Sequence, residues 1–219
     1  AVLNTKFKIL HLLASILTMT ALYSINIRIM SGPNVALINS AAVFDPVIAL
    51  GVPAHLASLI VFSAFTLVVT GLLIWFLKTE FGQALLATGD NPQMIVSQGV
   101  NIPFVIIVGV GLSNALVALS GALIAQNQGA ADVGMGIGTI IAGLASVIVG
   151  ETVFGSSSMT RAVIAAVLGS VVYRFAIALA LGFEVGDFTF SPSDLNLITA
   201  LLVIVALITP SIKQKVFNR

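Results

Sequence analysis

The chain has 219 residues, of which 58% are hydrophobic and 8% are charged, and its mean hydropathy is +1.15. Soluble domains are roughly 45–50% apolar, so this composition excludes an ordinary soluble globular protein. The formal net charge of +1 gives no reason to expect nucleic acid as a partner, and the absence of cysteine excludes disulfides, thiol catalysis and Cys-ligated metal sites. The composition predicts an integral membrane protein.

The N-terminal part of the chain predicts one membrane span followed by a long loop. Residues 9–27 form an apolar run close to the ~20 residues that cross a bilayer. The chain begins with Ala1 rather than Met, and no clear small-residue cleavage site follows this run, so we expect further N-terminal spans to be missing from this sequence. Residues 28–53 then form a loop punctuated by prolines, and its broken apolar patch at 35–50 is expected at the membrane interface.

The second and third predicted spans flank a polar insert, residues 81–101. These spans cover residues 55–77 and a stretch from 103 to about 125. Within the insert, Asp90 or Asn91 can cap a helix of about two turns, with a proline in its first turn and Gly99 well placed to end it. Such a helix is too short to be stable alone in water, so we expect it to dock on a partner.

The C-terminal third predicts a short apolar segment and two more spans. The region 129–150 opens with several glycines, and only 137–149 is continuously apolar, which favours a re-entrant or half-helix segment. Spans follow at 162–183 and 195–212, joined by a loop that has carboxylates but no Lys or Arg. The predicted fold class is therefore all-α: a polytopic transmembrane helical bundle with a re-entrant or half-helix segment and a short helix in the polar insert.

The distribution of cations predicts the orientation. Most of them fall on one side of the membrane if the polar insert is cytoplasmic: Lys6, Lys8, Lys78, Arg161, Lys213, Lys215 and Arg219. Arg28 alone falls on the outside. The positive-inside rule therefore predicts that residues 81–101 and the C-terminus lie in the cytoplasm.

Motifs that would indicate an enzyme are absent from the sequence. There is no P-loop, HExxH, GxSxG or metal-ligand cluster, and the isolated His11 and His55 are better interpreted as interfacial residues than as ligands. We predict neither catalytic residues nor a metal site.

Polar side chains inside the spans are candidates for a solute path. Ser113, Ser120 and Asn127 recur at intervals of seven residues, with Asn114 adjacent, and Thr20 and Tyr23 could line a second polar face on the first span. Hydroxyls and amides can hydrogen-bond a polar solute without committing charge. Hydrogen bonding between helices explains the same residues equally well, and both interpretations stay open.

Small residues also recur at helical spacing, as is typical of helices that approach closely in membranes. On the third span they are Gly111, Ala115, Ala118, Ala122 and Ala125, and on the fourth they are Ala162, Ala165, Ala166 and Gly169. Simple packing explains such faces; a mobile helix interface is the functional alternative.

Arg174 is the one cation well inside a predicted span, and it costs several kcal/mol there unless it pairs or reaches water. Glu151 is chemically able to pair with it. No span has a carboxylate near its middle, which disfavours transport coupled to protons or sodium.

The order of motifs resembles one transporter family. GQALLATGDNPQMIVSQGVNIP is followed by a span with SNALVALSGALIAQNQGAADVGMGIG, then by IIAGLASVIVGETVFGSSS and an Ala/Gly-rich span. This resembles the permease subunit of bacterial ATP-binding-cassette (ABC) importers of the branched-chain amino acid and ribose permease superfamily, and most of all the permeases of tryptophan/tyrosine-type systems. The resemblance is strong over residues 78–183 and rests on hydropathy elsewhere.

The resemblance implies that the insert is the coupling helix of the family, which sits in a cleft of the ATP-hydrolysing subunit. The residues implied in coupling are Gly82, Ala87, Asp90, Asn91, Pro92, Met94, Ile95, Ser97 and Gly99. Exposed Met94 and Ile95 are expected to be its apolar anchors. An ordinary membrane loop would need neither the cap nor the glycine stop.

The resemblance further implies a single permease domain over residues 1–219 in the bacterial inner (plasma) membrane. Its partners would be cytoplasmic ABC ATPases, a second permease copy, an extracytoplasmic binding protein and the lipid bilayer. This chain would hold no cofactor, because ATP–Mg belongs to the ATPase. The solute would be small and polar, with an amino acid favoured, aromatic ones included. Two other classes stay open: a secondary transporter, and an energy-coupling scaffold without a solute path.

Overall fold

The computed structural model describes residues 1–37, 41–136 and 139–182. The fifth predicted span, the loop before it and the C-terminal cations lie outside these residues. In chain order the described elements are α1 (Val2–Thr5), α2 (His11–Met30), β1 (Asn34–Ala36), α3 (Asp45–Ala49), α4 (Ala54–Lys78), α5 (Glu80–Asp90), α6 (Pro92–Ser97), α7 (Ile102–Gln128), β2 (Ala130–Asp132), α8 (Thr139–Phe154) and α9 (Met159–Gly182). The predicted all-α fold class is confirmed.

Four helices in the described part are long and apolar enough to cross a membrane, namely Leu12–Met30, Ala54–Lys78, Ile102–Gln128 and Met159–Leu179. They match the first four predicted spans, with small shifts at the ends. The third helix runs past the last apolar residue of the prediction because Gln126, Asn127 and Gln128 continue the helical hydrogen bonding. It stops at Gly129, whose φ of 68° is left-handed.

Close packing divides the chain into two compact units, Ala1–Gly136 and Ile137–Arg219. In the first unit, α4 contacts α5, and α5 and α6 both contact α7. In the described part of the second unit, α8 packs along α9.

A two-stranded antiparallel ladder ties the segment after α2 to the end of α7. Asn34 pairs with Asp132, and Ala36 pairs with Ala130. The amide of Val43 adds a hydrogen bond of 2.9 Å to Oε1 of Gln126. The predicted loop 28–53 therefore contains ordered structure, β1 and α3, that the sequence did not reveal. Strands of three residues are too short to show a recognisable alternation.

The short helix α8 fits the length predicted for the glycine-rich region. It has 16 residues, so it is about 24 Å long, less than the ~30 Å of a hydrocarbon core. This length agrees with a half-helix, and a re-entrant path for it stays a prediction. The VFGSSS motif ends α8 and forms the turn that follows: Gly155 has φ 77°, and Oγ of Ser158 accepts a hydrogen bond of 3.4 Å from the amide of Arg161 in the first turn of α9.

Helices α8 and α9 are in contact at small residues that both helices contribute. A Cβ on Gly150 would collide with the backbone of Ala165, and a Cβ on Gly169 would lie 2.6 Å from Cα of Gly150. Ala165 is fully buried and Ser146 nearly so. The predicted small-residue face of the fourth span is therefore confirmed as a packing face at Ala165 and Gly169.

The corresponding face of α7 behaves differently. Ala125 is buried, whereas Gly111, Ala115, Ala118 and Ala122 are exposed on the single chain. A Cβ on Gly111 would meet nothing within 4 Å. Most of this face is therefore left open by the described part of the chain.

Candidate coupling segment and polar span faces

Asn91 begins the short helix α6 of the polar insert. Its Oδ1 accepts a hydrogen bond of 3.1 Å from the amide of Met94, and Pro92 occupies the first helical position, where no amide donor is needed. Asp90 is instead the exposed last residue of α5. Of the two predicted capping residues, Asn91 is thus the cap, and the predicted helix start is confirmed.

Gly99 ends α6 in a complete Schellman motif. The amide of Val100 donates to the carbonyl of Ile95 at 3.3 Å, and the amide of Gly99 donates to the carbonyl of Val96 at 2.9 Å. Gly99 has φ 82°, a left-handed conformation that glycine adopts without strain. The predicted glycine stop is confirmed, and α6 is closed at both ends by its own sequence.

The exposed apolar residues of α6 are Met94 and Val96. Their exposed fractions are 55% and 59%, whereas Ile95 between them is only 5% exposed. The expectation that Ile95 is exposed was wrong, because α6 lies against α5 and α7 along a narrow stripe and residue 95 falls on that stripe. Ile95 therefore fixes the helix in place. Val96 is part of the exposed surface but was not predicted from the sequence.

Helix α5 leads into α6 and was not predicted. Oγ1 of Thr79 accepts a hydrogen bond of 3.2 Å from the amide of Gly82 and so caps the first turn. Its signal was present in the sequence, because Phe81, Leu85 and Thr88 recur at the spacing of one helix face. Ala87, another residue implied in coupling, is half-buried on α5, and its carbonyl accepts a hydrogen bond of 2.9 Å from the amide of Asn91.

Gly82 forms the tight corner between α4 and α5. It is buried, and a Cβ at this position would collide with the carbonyl oxygen of Phe76 and lie 2.6 Å from Cα of Leu77. These are backbone atoms, which cannot move aside as a side-chain end can. A glycine is required at this corner to bring α5 against the end of α4.

We expect Gly82→Ala to displace α5 and to destabilise the protein by about 1–3 kcal/mol, as overpacking does elsewhere. The midpoint of thermal unfolding of the purified protein in detergent measures this. Gly89→Ala is the matched control, because Gly89 lies on the same helix and a Cβ there meets nothing within 4 Å. Equal midpoints for the two variants would contradict the tight corner.

An aromatic cluster joins the ends of α4 and α7 through α5. The ring of Phe81 lies 6.0 Å from that of Phe76 and 6.1 Å from that of Phe104, the second pair edge-to-face. Further along α5, the side chain of Leu85 fills the space over Gly109 of α7. The sequence missed this cluster, because neither Gly109 nor these rings stand out in an apolar chain.

Three of the four predicted polar residues of α7 occupy one side of the helix. Ser113, Ser120 and Asn127 are exposed, and at 3.6 residues per turn they fall opposite the small residues of the same helix. Asn114 lies between the two faces and donates from Nδ2 to the carbonyl of Val110 at 2.9 Å. The structure therefore separates a hydroxyl-bearing face from a small-residue face on α7.

The polar residues predicted on the first span are also exposed. Oγ1 of Thr20 donates to the carbonyls of Ile16 at 3.2 Å and Leu17 at 3.0 Å, and Tyr23 is 54% exposed. Helices α2 and α7 are joined by the β1–β2 ladder at their ends rather than packed along their lengths. The two polar faces are present, but the single chain does not bring them together.

Arg174 and Glu151 are both exposed on the α8–α9 hairpin. Gly150 lies against Ala165 and Ser146 against Gly169, so α9 runs antiparallel to α8. In this register Arg174 is level with the first turn of α8. It is then about ten residues, or about 15 Å, from Glu151 along the axis. The structure does not bring the two together.

The four long apolar helices define a multi-pass α-helical membrane protein. Residues 1–208 match the model of the family described as branched-chain amino acid transport system / permease component, and the chain belongs to this family. The predicted family is confirmed.

Two curated proteins are similar to the chain. It is 40% identical over 208 residues to the tyrosine transport system permease protein of Clostridioides difficile (strain R20291), which covers 95% of the chain and 66% of that protein. It is 28% identical over 200 residues to an uncharacterized protein of Rickettsia prowazekii (strain Madrid E), covering 90% of the chain and 68% of that protein. The chain thus spans about two thirds of the length of these relatives. No solved structure matches it significantly.

Proposed function

We propose that the chain is the transmembrane permease subunit of an ATP-driven ABC importer. In this proposal a separate ATPase binds α6 of the segment 81–101, and its movements drive alternating access of the spans to the two sides of the membrane. The observation that carries the proposal is α6, a helix of six residues that is capped at both ends and packed against the rest of the chain at Ile95.

The exposed surface of α6 has the composition of a docking site. Met94 and Val96 project from its two flanks, on either side of the buried Ile95, and the neutral polar residues Gln93 and Gln98 are exposed beside them. Apolar anchors surrounded by polar residues are typical of a helix that fits into a groove. A helix this short does not persist alone in water, so its caps and its anchor at Ile95 are useful when it must keep one shape for a partner.

The implied partners follow from this role. Among the coupling residues named from the sequence, the exposed ones, with Val96 added, would contact cytoplasmic ATPases that hold ATP–Mg, whereas the buried Gly82 and Ile95 would hold the segment in shape. A second permease copy fits the open small-residue face of α7, because such faces let membrane helices approach closely. An extracytoplasmic binding protein would deliver the solute. The domain would be a single permease domain, and this chain would hold no cofactor or metal.

We further propose that the solute is a small polar molecule, an amino acid in the first place. Support comes from the relative named as a tyrosine transport system permease. The path would use Thr20, Tyr23, Ser113, Asn114, Ser120 and Asn127, which are exposed on the single chain. Lys78 in the last turn of α4 supports a cytoplasmic segment 81–101 in a bacterial inner membrane, with the C-terminus on the same side, and Arg28 in the last turn of α2 is the cation that this orientation leaves outside.

Reconstitution tests the proposal. The full-length permease that carries this chain is placed in proteoliposomes with the ATPase and binding protein of its own transport system, and radiolabelled tyrosine is the probe. We expect uptake that requires ATP and stops when the ATPase is omitted. Undiminished uptake without ATP would establish the secondary transporter instead, and tight ATPase binding without uptake of any amino acid would favour the scaffold.

A further inference from the structure

We infer that Phe81 and Leu85 of α5 are positioning residues that make α4 and α7 move as one body when α6 is displaced. This inference rests on the proposed coupling function and names the residues, outside the docking surface, that would transmit the movement. Neither residue belongs to the surface of α6 that a partner would contact.

Phe81 is the first of two attachments between α5 and its neighbours. Its ring lies between Phe76 at the end of α4 and Phe104 at the start of α7, with centroid separations of 6.0 and 6.1 Å. Aromatic pairs at this separation attract each other beyond their simple burial. One side chain therefore holds the ends of two spans that are far apart in sequence.

Leu85 is the second attachment. A Cβ on Gly109 would lie 2.6 Å from Cδ1 of Leu85, so the leucine occupies the space that the missing side chain leaves on α7. Phe81 and Leu85 are one turn apart on α5, and Phe104 and Gly109 are five residues apart on α7. A single contact would let α5 pivot on α7, whereas two contacts at different levels fix its orientation.

The attachments continue from α5 to the docking surface. The buried Ile95 lies where α6 packs against α5 and α7. Gly82 keeps the first turn of α5 against the backbone of α4. A displacement of Met94 and Val96 is thus passed through packed side chains to α5, and from α5 to both spans. Close-packed interiors transmit such displacements because they have little free volume.

The test compares Phe81→Ala with Phe62→Ala in the reconstituted full-length system with its own ATPase and binding protein. Phe62 is the control because it also loses an aromatic contact, with Phe44 at 5.6 Å, but lies outside the cluster. We expect Phe81→Ala to lower the tyrosine transported per ATP hydrolysed by about fivefold or more, with ATPase affinity kept within about twofold. Phe81→Tyr and Phe62→Ala should keep the wild-type ratio.

A second pair of variants tests the same inference at the other attachment, so that the result does not depend on the folding of Phe81→Ala. Leu85→Ala should lower the same ratio, because it removes the second attachment, and Leu72→Ala, at an exposed position of α4, should not. The effects of Gly109→Ala and Leu85→Ala should be non-additive in the double variant, because the two residues share one contact.

The distance between spin labels on α4 and α7 measures whether the two helices move together. The chain has no cysteine, so within it spin labels attach only at cysteines introduced at exposed Lys78 of α4 and Val110 of α7. We expect the same label separation without nucleotide and with ATP plus vanadate, and a broadened separation in Phe81→Ala. A wild-type transport ratio in both Phe81→Ala and Leu85→Ala would overturn the inference alone. An unmodified permease that neither binds the ATPase nor transports with ATP would overturn the proposed function and the inference together.

Discussion

Gly169→Ala is expected to break the packing of α8 against α9. The new Cβ would lie 2.6 Å from both Cα and the amide nitrogen of Gly150 and would collide with the carbonyl oxygen of Ser146. All of these are backbone atoms, so the helices must separate along the whole contact. We expect a loss of about 3 kcal/mol or more in stability. In thermal unfolding followed by circular dichroism in detergent, this corresponds to a midpoint lower by about 5 °C or more.

Gly143→Ala provides the matched control for this prediction. Gly143 lies on α8, the helix that Gly169 packs against; it is exposed, and a Cβ there meets nothing within 4 Å among the described residues. Alanine also favours a helix over glycine by about 1 kcal/mol, so this variant should be neutral or slightly more stable. Gly150→Ala should resemble Gly169→Ala, because each glycine lies against the other helix. A thermal midpoint for Gly169→Ala equal to that of Gly143→Ala would show that the helices do not meet at this point.

The membrane spans were predictable because they depend on composition alone. A run of about 20 apolar residues must be a helix in lipid, whatever its neighbours are. The ends were less certain: α7 continues through Gln126, Asn127 and Gln128, where only the conformation of Gly129 stops it. The ladder of β1 and β2 was missed because it depends on two segments almost a hundred residues apart, and neither has a strand pattern of its own.

Helix α6 was predictable for another reason, since its cap, its first-turn proline and its glycine stop are all local. Which of its side chains face outward depends on α5 and α7, and this is why Ile95 was misassigned and Val96 was missed. The same limit applies to Gly109 and Gly111. In sequence they are equivalent glycines in an apolar helix, but Leu85 lies over the first, and no described residue lies over the second.

Helix α7 is held at both of its ends, and this organises the first unit. At its start, Oδ1 of Asn101 caps the helix by accepting from the amide of Phe104 at 3.3 Å, and Phe104 joins the aromatic cluster. At its end, Gln126 bonds the amide of Val43 and the ladder follows. Between these ends the polar and small-residue faces are exposed. A helix fixed in this way would carry a movement of α6 across the membrane to the segment after α2.

The largest functional loss is expected from the double variant Met94→Asp with Val96→Asp. Both side chains are more than half exposed on α6, and they are the apolar anchors that a groove on the ATPase would receive. Buried anchors at interfaces are each worth about 2 kcal/mol or more, and a carboxylate forced into an apolar groove adds a desolvation cost. We therefore expect ATPase affinity to fall by at least about 100-fold, since each ~1.4 kcal/mol is tenfold.

Titration of the ATPase against the full-length permease in lipid nanodiscs measures that affinity, and Gln83→Asp is the control. Gln83 is exposed on α5, so this variant adds a carboxylate to the same insert without touching α6. The double variant should keep the wild-type thermal midpoint, because Met94 and Val96 contribute to no buried core, and transport should fall with affinity. Ile95→Ala should act differently: it leaves the anchors in place but removes what fixes α6, so it should weaken binding and also lower the thermal midpoint. A double variant that binds the ATPase as tightly as Gln83→Asp would show that the ATPase docks elsewhere on the permease.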